Sequence, residues 1–412
     1  MANFGFSDAF KLKGQTAIAL IGLGHGAVHW VYMVFTVLTP WIKQSFGLSY
    51  TEVGSLHAIF HIASFAANAG SGVLVDITGK RVLFQVVAVM AGGIAILVCG
   101  LADGFLLLAA MMAIIGASNN LWHPAALAFL SQEYPENKGY ALSVHSVGAS
   151  LGDILAPLVA VSLFVGVLQL SWQFTAMASS VPVFIVGLAI LIIVLPKDRA
   201  GPAGDAKRGM SGREYLSGLA ALVKDKAILG LSLMAAFRTS ALFCIFFALP
   251  LYLVDVLGLS VETQGLAMAM MQVGGFVTGP LAGTWSDKIG RRPIVMGGLS
   301  AITIIIIGLT FVGNPAVFVV GITFLGFALY AIRPVTQAWM MDLAPKEHGA
   351  SAASVMFAMQ SGWTPVVVLL SGVIADEFGL LSVFYLIAAS MLCANIVAYF
   401  LPGEKSEKKA SS

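Results

Sequence analysis

The chain has 412 residues, of which 58% are hydrophobic and only 10% charged, with a formal net charge of +2. Soluble domains carry about 25% charged residues, so this balance excludes an ordinary soluble fold and points to a membrane protein with many spans. The charges lie in short polar stretches with no basic or acidic block, which excludes a nucleic-acid footprint.

A spanning helix needs about 20 mostly apolar residues, and the first such stretch covers residues 15–42. Lys11 and Lys13 precede it without a short apolar core and a small-residue cleavage site, so a retained helix is expected in place of a signal peptide. Apolar stretches follow at 50–75, 82–102, 104–131, 139–168 and 173–195, and a second series runs through 227–255, 262–286, 293–312, 315–342, 349–375 and 380–401. The stretch between the two series is polar and rich in Gly and charge, and reads as a linker. The expectation is an all-α membrane protein of twelve transmembrane helices, with a six-helix half at 1–196, a cytoplasmic linker at 197–226, a second six-helix half at 227–402 and a disordered tail at 403–412. Cys99, Cys244 and Cys393 fall in separate apolar stretches without metal or disulfide spacing, as packing residues do.

Basic residues collect on the cytoplasmic side of a membrane. With both termini cytoplasmic, Lys43 alone falls outside, Arg238 and Arg333 fall within helices, and the other 19 of the 22 Lys and Arg residues fall at cytoplasmic ends. The two halves also repeat: "GVLVDITGKR" (72–81) and "GTWSDKIGRR" (283–292) share G-x-x-x-D-x-x-G followed by two basic residues, and Pro124, Pro135 and Gly139 recur as Pro334, Pro345 and Gly349. Parallel six-helix halves related by an axis along the membrane normal are the natural reading of such a repeat.

On these residues the chain resembles the major facilitator superfamily over nearly its whole length. His25 in "GHGAVHW", the pair His123-Pro124 and the glycines of "VGASLGDILAP" resemble the fosmidomycin-resistance branch, in which an acidic residue tends to stand at the position of His29. The resemblance implies a monomeric secondary transporter of the bacterial inner membrane, alternating between its two sides, with efflux as the branch's direction. The repeated loops imply a cytoplasmic gate made of Asp76, Lys80, Arg81, Asp287, Arg291 and Arg292, where carboxylates meet helix ends and basic side chains.

Ionisable residues at bilayer depth are costly and mark function. Here they are His25 and His29 on the first span, His57 and His61 on the second, His123 on the fourth, His145 and Asp153 on the fifth, Arg238 on the seventh and Arg333 on the tenth. The third, sixth, ninth and twelfth carry none in their interiors, and the resemblance implies that those four lie at the periphery. The i, i+4 spacing of His25/His29 and of His57/His61 puts each pair on one helix face, about 6 Å apart along the axis.

Three chemistries fit these residues. Asp153, His29, His57, His61 and His145 are candidates for proton coupling, since imidazole changes charge near neutral pH and burial favours a protonated carboxyl. Arg238 and Arg333 keep their protons and suit the planar oxygens of a carboxylate or phosphonate, so a small organic anion is the expected substrate. His25, His29, His123, Asn120 and Tyr32 are the expected further contacts. An alternative is a transition metal, or its anionic chelate, held by His25, His29, His57 and His61. No Ser-His-Asp order, phosphate loop or nucleotide motif supports an enzyme, and no cofactor is implied. Gly148, Gly152 and Ala156 are small enough to bring the fifth helix close to a neighbour. The same run with Pro157 partly resembles the glycine-rich motif of proton antiporters, with Ala156 where that motif has glycine.

Overall fold

The computed structural model describes residues 14–198, 224–344 and 349–402, and these are helical apart from short turns. Most of the expected linker and all of the expected tail lie outside the described residues. In chain order the long helices are α1 (Gln15–Phe46), α2 (Tyr50–Thr78), α3 (Arg81–Cys99), α4 (Phe105–Glu133), α5 (Lys138–Ala156), α6 (Trp172–Ala189), α7 (Lys226–Leu251), α8 (Val261–Ile289), α9 (Arg291–Leu309), α10 (Pro315–Leu343), α11 (Gly349–Phe378) and α12 (Leu380–Phe400). Wider π-helical turns extend α5 over Pro157–Val167, α6 over Ile190–Val194 and α7 over Tyr252–Val256.

Among the described residues ten helices are long and apolar enough to cross a membrane, where the sequence reading expects twelve spans. The other two, α2 and α8, are 29 residues each. They occupy the stretches expected as the second and eighth spans, 50–75 and 262–286. The outer surface is the reverse of a soluble protein's. Leu106, Phe311 and Phe400 are 83%, 79% and 78% exposed, which a lipid environment accommodates and water does not.

The chain divides into two compact units, Met1–Leu38 with Ile62–Ala206 and Thr39–His61 with Lys207–Ser412. Their boundary departs from the expected halves at one place: the end of α1 and the start of α2 group with the second unit. The local reason is the packing of α2 on α11. A Cβ on Gly54 would lie 3.1 Å from the Val368 carbonyl oxygen, and one on Gly372 would lie 2.6 Å from that of Tyr50. The Asp376 carboxylate then accepts the first backbone N–H groups of α2, from Tyr50 and Thr51, each at 2.8 Å. Unsatisfied donors and the positive end of the helix dipole are answered by one residue from another helix.

In the first unit α5 lies against α1 with almost nothing between the backbones. A Cβ on Gly148 would fall 1.8 Å from the carbonyl oxygen of Gly22, and one on Gly152 would fall 2.2 Å from that of Gly26. The expectation from the small residues of α5 is met, and the neighbour is α1. Arg81, at the start of α3, is 4% exposed and donates to Asp198 at 2.9 Å, to Glu133 at 3.1 Å and to Gln132 at 2.6 Å. Asp198 also accepts the backbone N–H of Val82 at 3.0 Å, so one carboxylate caps α3 and neutralises a buried arginine.

In the second unit α7 packs on α11 and α12, and α8 packs on α10. The α8–α10 contact repeats the glycine device, since a Cβ on Gly326 would lie 2.0 Å from the Met271 carbonyl oxygen. Asp225 and Asn314 cap α7 and α10 through their side-chain oxygens.

Candidate functional site

The close approach of α5 to α1 sets the geometry of a polar cluster in the first unit. His25 lies beside Gly26, and His145 lies one turn before Gly148. With no side chains holding the backbones apart, the His25 Nδ1–H donates to the carbonyl oxygen of His145 at 2.7 Å, and the two rings stack with centroids 3.8 Å apart. Trp122, fully buried on α4, donates its indole N–H to His145 Nε2 at 3.2 Å. His123, the next residue, donates Nδ1–H to the carbonyl oxygen of Asn119 one turn back at 2.7 Å. Its Nε2 faces His25 Nε2 at 3.3 Å.

His29, one turn along α1, gives its Nδ1–H to Asp153, and both carboxylate oxygens stand at 3.1 Å. These two side chains are 25% and 19% exposed, so this edge of the cluster is open while the His25 edge is buried. The sequence reading lists His25, His29, His123, His145 and Asp153 as separate functional candidates, and the first unit gathers all five. Trp122 is the member whose part it misses: an aromatic residue before a histidine reads as packing, and only the fold shows its N–H on His145. Asn120 donates instead to Ser64 on α2. Tyr32 is buried at 6% exposure on α1.

In the second unit His57 is buried with its ring edge-on to Phe247, and His61 with its ring edge-on to Phe243. The arginines behave differently. Arg238 and Arg333 line one small cleft, together with Thr239, Thr336, Gln337 and Gln360. Arg238 is 4% exposed, gives Nη2–H to the Leu329 carbonyl at 2.5 Å, and its Nε has no hydrogen-bond partner among the described residues. Arg333 is exposed at the mouth. Thr239 donates to Gln360 at 3.0 Å across the cleft wall. Among the described residues no acidic side chain lines it, so two permanent positive charges meet neutral amides and hydroxyls, an environment suited to an anion. Gln360 is missed by the sequence reading, although a glutamine within an apolar helix is a signal that could find it.

Of the loop residues, Arg291 pairs with Asp287 one turn back and with Asp342 at 2.9 Å, and Arg292 donates to the Tyr399 carbonyl. Arg81 and Arg291 thus reach repeat-related positions at the ends of α4 and α10, Gln132 and Asp342. Lys80 is exposed. The Asp76 side chain lies outside what the structure describes.

An all-helical chain with lipid-facing spans and two polar sites at membrane depth is a multi-pass membrane transporter. Its fold matches the crystal structure of a bacterial homologue of the human lysosomal transporter Spinster in an inward-facing, unoccupied conformation, with a TM-score of 0.76 over 94% of this chain and 96% of that one at 16% identity. The model of the Major Facilitator Superfamily matches residues 21–263 and 231–412, and the chain belongs to that superfamily. It is therefore a secondary transporter of the alternating-access kind and no enzyme. The fosmidomycin resistance protein of Escherichia coli is 23% identical over 96% of each chain. The phosphoglycerate transporter protein of Salmonella typhimurium is also 23% identical, over 93% of this chain and 88% of that one. The match to the superfamily is thus firm, while the fosmidomycin-resistance branch is one of several relatives at similar distance.

Proposed function

We propose that the chain carries a small organic anion of carboxylate or phosphonate type across the bacterial inner membrane, coupled to protons. The observation that carries this reading is the convergence of Arg238 and Arg333 on one cleft free of acidic side chains among the described residues. Permanent guanidinium charges with planar donors select oxyanions. The similarity to a phosphoglycerate transporter, whose named cargo carries carboxylate and phosphate oxygens, agrees with this chemistry.

On this reading α2 and α8 also cross the membrane, completing twelve spans in two halves, with their polar residues turned from lipid. Both termini are cytoplasmic, the protein acts as a monomer, and export is the working direction. Asp76, Lys80, Arg81, Asp287, Arg291 and Arg292 form the cytoplasmic gate, and the close ties of Arg81 and Arg291 to the ends of α4 and α10 support it. Proton coupling concerns the driving force: a proton moving with or against the anion sets the charge carried per cycle.

The test is transport in reconstituted vesicles, screening carboxylates, phosphonates and phosphate monoesters with and without an imposed pH gradient. Arg238→Gln and Arg333→Gln are assayed alongside. For the buried Arg238, removing one partner of a desolvated charge pair costs about 2–5 kcal/mol, which is roughly 30-fold to several thousand-fold in affinity; the exposed Arg333 should cost less. Anion transport that ignores both substitutions refutes the site, and transport indifferent to the pH gradient and to an uncoupler refutes the coupling.

A further inference from the structure

Three imidazoles of the first unit are arranged as metal ligands are. His25, His29 and His123 each offer one ring nitrogen, and these atoms lie within 4.8 Å of one another. The hydrogen bonds on the far side of each ring decide which nitrogen is available. A backbone carbonyl can only accept, so His25 carries its proton on Nδ1, where it meets the oxygen of His145 at 2.7 Å. His123 does the same toward the oxygen of Asn119 at 2.7 Å. His29 gives its Nδ1–H to Asp153.

In each neutral ring the remaining nitrogen, Nε2, is then a lone pair. This is the outer-shell pattern of metal-binding histidines, whose second ring nitrogen is held by a carbonyl or carboxylate that fixes tautomer and direction. The Nε2 atoms of His25 and His123 face each other at 3.3 Å. Between neutral rings that is two lone pairs in opposition, which a cation between them relieves. In a tetrahedral site with zinc–nitrogen bonds near 2.0–2.1 Å, two ligand nitrogens stand about 3.3–3.4 Å apart.

We propose that His25, His29 and His123 form a binding site for a divalent transition-metal ion of the zinc class, with Asp153 orienting His29 and the fourth position open. The nitrogens, all within 4.8 Å of one another, are apart by up to roughly 1.5 Å more than the tetrahedral edge. His29 closes that gap: its side chain is 25% exposed, whereas His25 is buried and stacked on His145. Three protein nitrogens with a free position describe a site that exchanges its ion or takes an oxygen donor, in contrast with a closed structural site. The site is built from residues of the first unit and the arginine cleft from residues of the second, so it does not depend on the anion reading.

The experiment uses the full chain, purified in detergent and stripped with a chelator, titrated at pH 7.5 with Co²⁺ as a spectroscopic stand-in for Zn²⁺. The expected result is an intense visible ligand-field band of a tetrahedral Co²⁺ site, saturating at one ion per chain and abolished by Zn²⁺. His25→Ala and His123→Gln each remove the band, and Asp153→Asn weakens binding by about 10–100-fold, as loss of an outer-shell partner does. His57→Ala, in the second unit, leaves the band intact. Far-UV circular dichroism and a single size-exclusion peak confirm that each variant is folded, and His123→Gln serves if His25→Ala is not. A folded parent that gives no band overturns the proposal. So does a band that survives both His25→Ala and His123→Gln, or one that His57→Ala also removes.

Discussion

Replacing Gly148 with alanine adds one methyl group at the tightest point described in the first unit. That carbon would sit 1.8 Å from the carbonyl oxygen of Gly22, where ordinary contact begins at 3.4 Å, so α5 and α1 must part by about 1.6 Å locally. The obstacle is backbone on both sides, and no rotamer change relieves it. A parting of that size stretches the 2.7 Å hydrogen bond from His25 to the His145 carbonyl beyond 4 Å, past any useful bond length. Overpacking costs about 1–3 kcal/mol and the lost hydrogen bond about 1 kcal/mol more. Alanine's better helix propensity returns at most about 1 kcal/mol, which leaves a net loss of roughly 1–3 kcal/mol. Gly139 on the same helix is the matched control, because a Cβ there meets nothing within 4 Å; Gly139→Ala should be neutral or slightly stabilising. Thermal unfolding of both variants in the same detergent is the assay. If Gly148→Ala melts with Gly139→Ala, the helices are not in backbone contact and the geometry of the histidine cluster loses its foundation.

The same packing and pairing give further expectations. Asp198→Ala leaves Arg81 buried without its main partner and uncaps α3, and should destabilise the protein by about 3–5 kcal/mol, read as a lowered melting temperature; a change below 1 kcal/mol would show that Glu133 and Gln132 suffice. Asp376→Ala removes the two hydrogen bonds at the start of α2 and should cost about 0.5–2 kcal/mol, while Asp376→Asn, which keeps one acceptor, should cost less; equal losses would refute the capping role. Gly326→Ala should repeat the Gly148→Ala result in the second unit, since its Cβ would fall 2.0 Å from the Met271 carbonyl oxygen; a melting temperature equal to the parent's would refute that contact. Arg333→Lys keeps the charge and loses the planar fork, so KM for an anion should rise about tenfold or more with Vmax less affected; an unchanged KM would refute planar recognition.

Much of the fold was legible because membrane helices advertise themselves through length and apolarity. The limit came at helix ends: α2 and α8 run on to Thr78 and Ile289, past the apolar stretches expected to stop at 75 and 286, because helix continues into the polar repeated loops. The glycines of α5 announced a close approach, and only the fold named α1 as the partner, since small residues record that something fits and not what. Arg238 and Arg333 could be paired in the sequence by chemistry, because two arginines in apolar helices demand a common reason. Asp198 could not be found this way. It lies in a polar stretch that reads as linker, and its role exists only because the end of the first six-helix series returns to the start of α3. Trp122 was hidden likewise: its value lies in one N–H directed at His145, and nothing in an apolar stretch marks direction.

The three rings of the histidine cluster differ in what holds them, and this bears on how the site can change over generations. His25 and His123 are aimed by main-chain oxygens, those of His145 and Asn119, and a point mutation at either position leaves the oxygen where it was. His29 alone is aimed by a side chain, Asp153. Two rings are thereby written into the backbone path, and one codon controls the third. Selection for a tighter or looser site, in nature or in a laboratory library, should therefore fall on residue 153 before it falls on the neighbours of the other two.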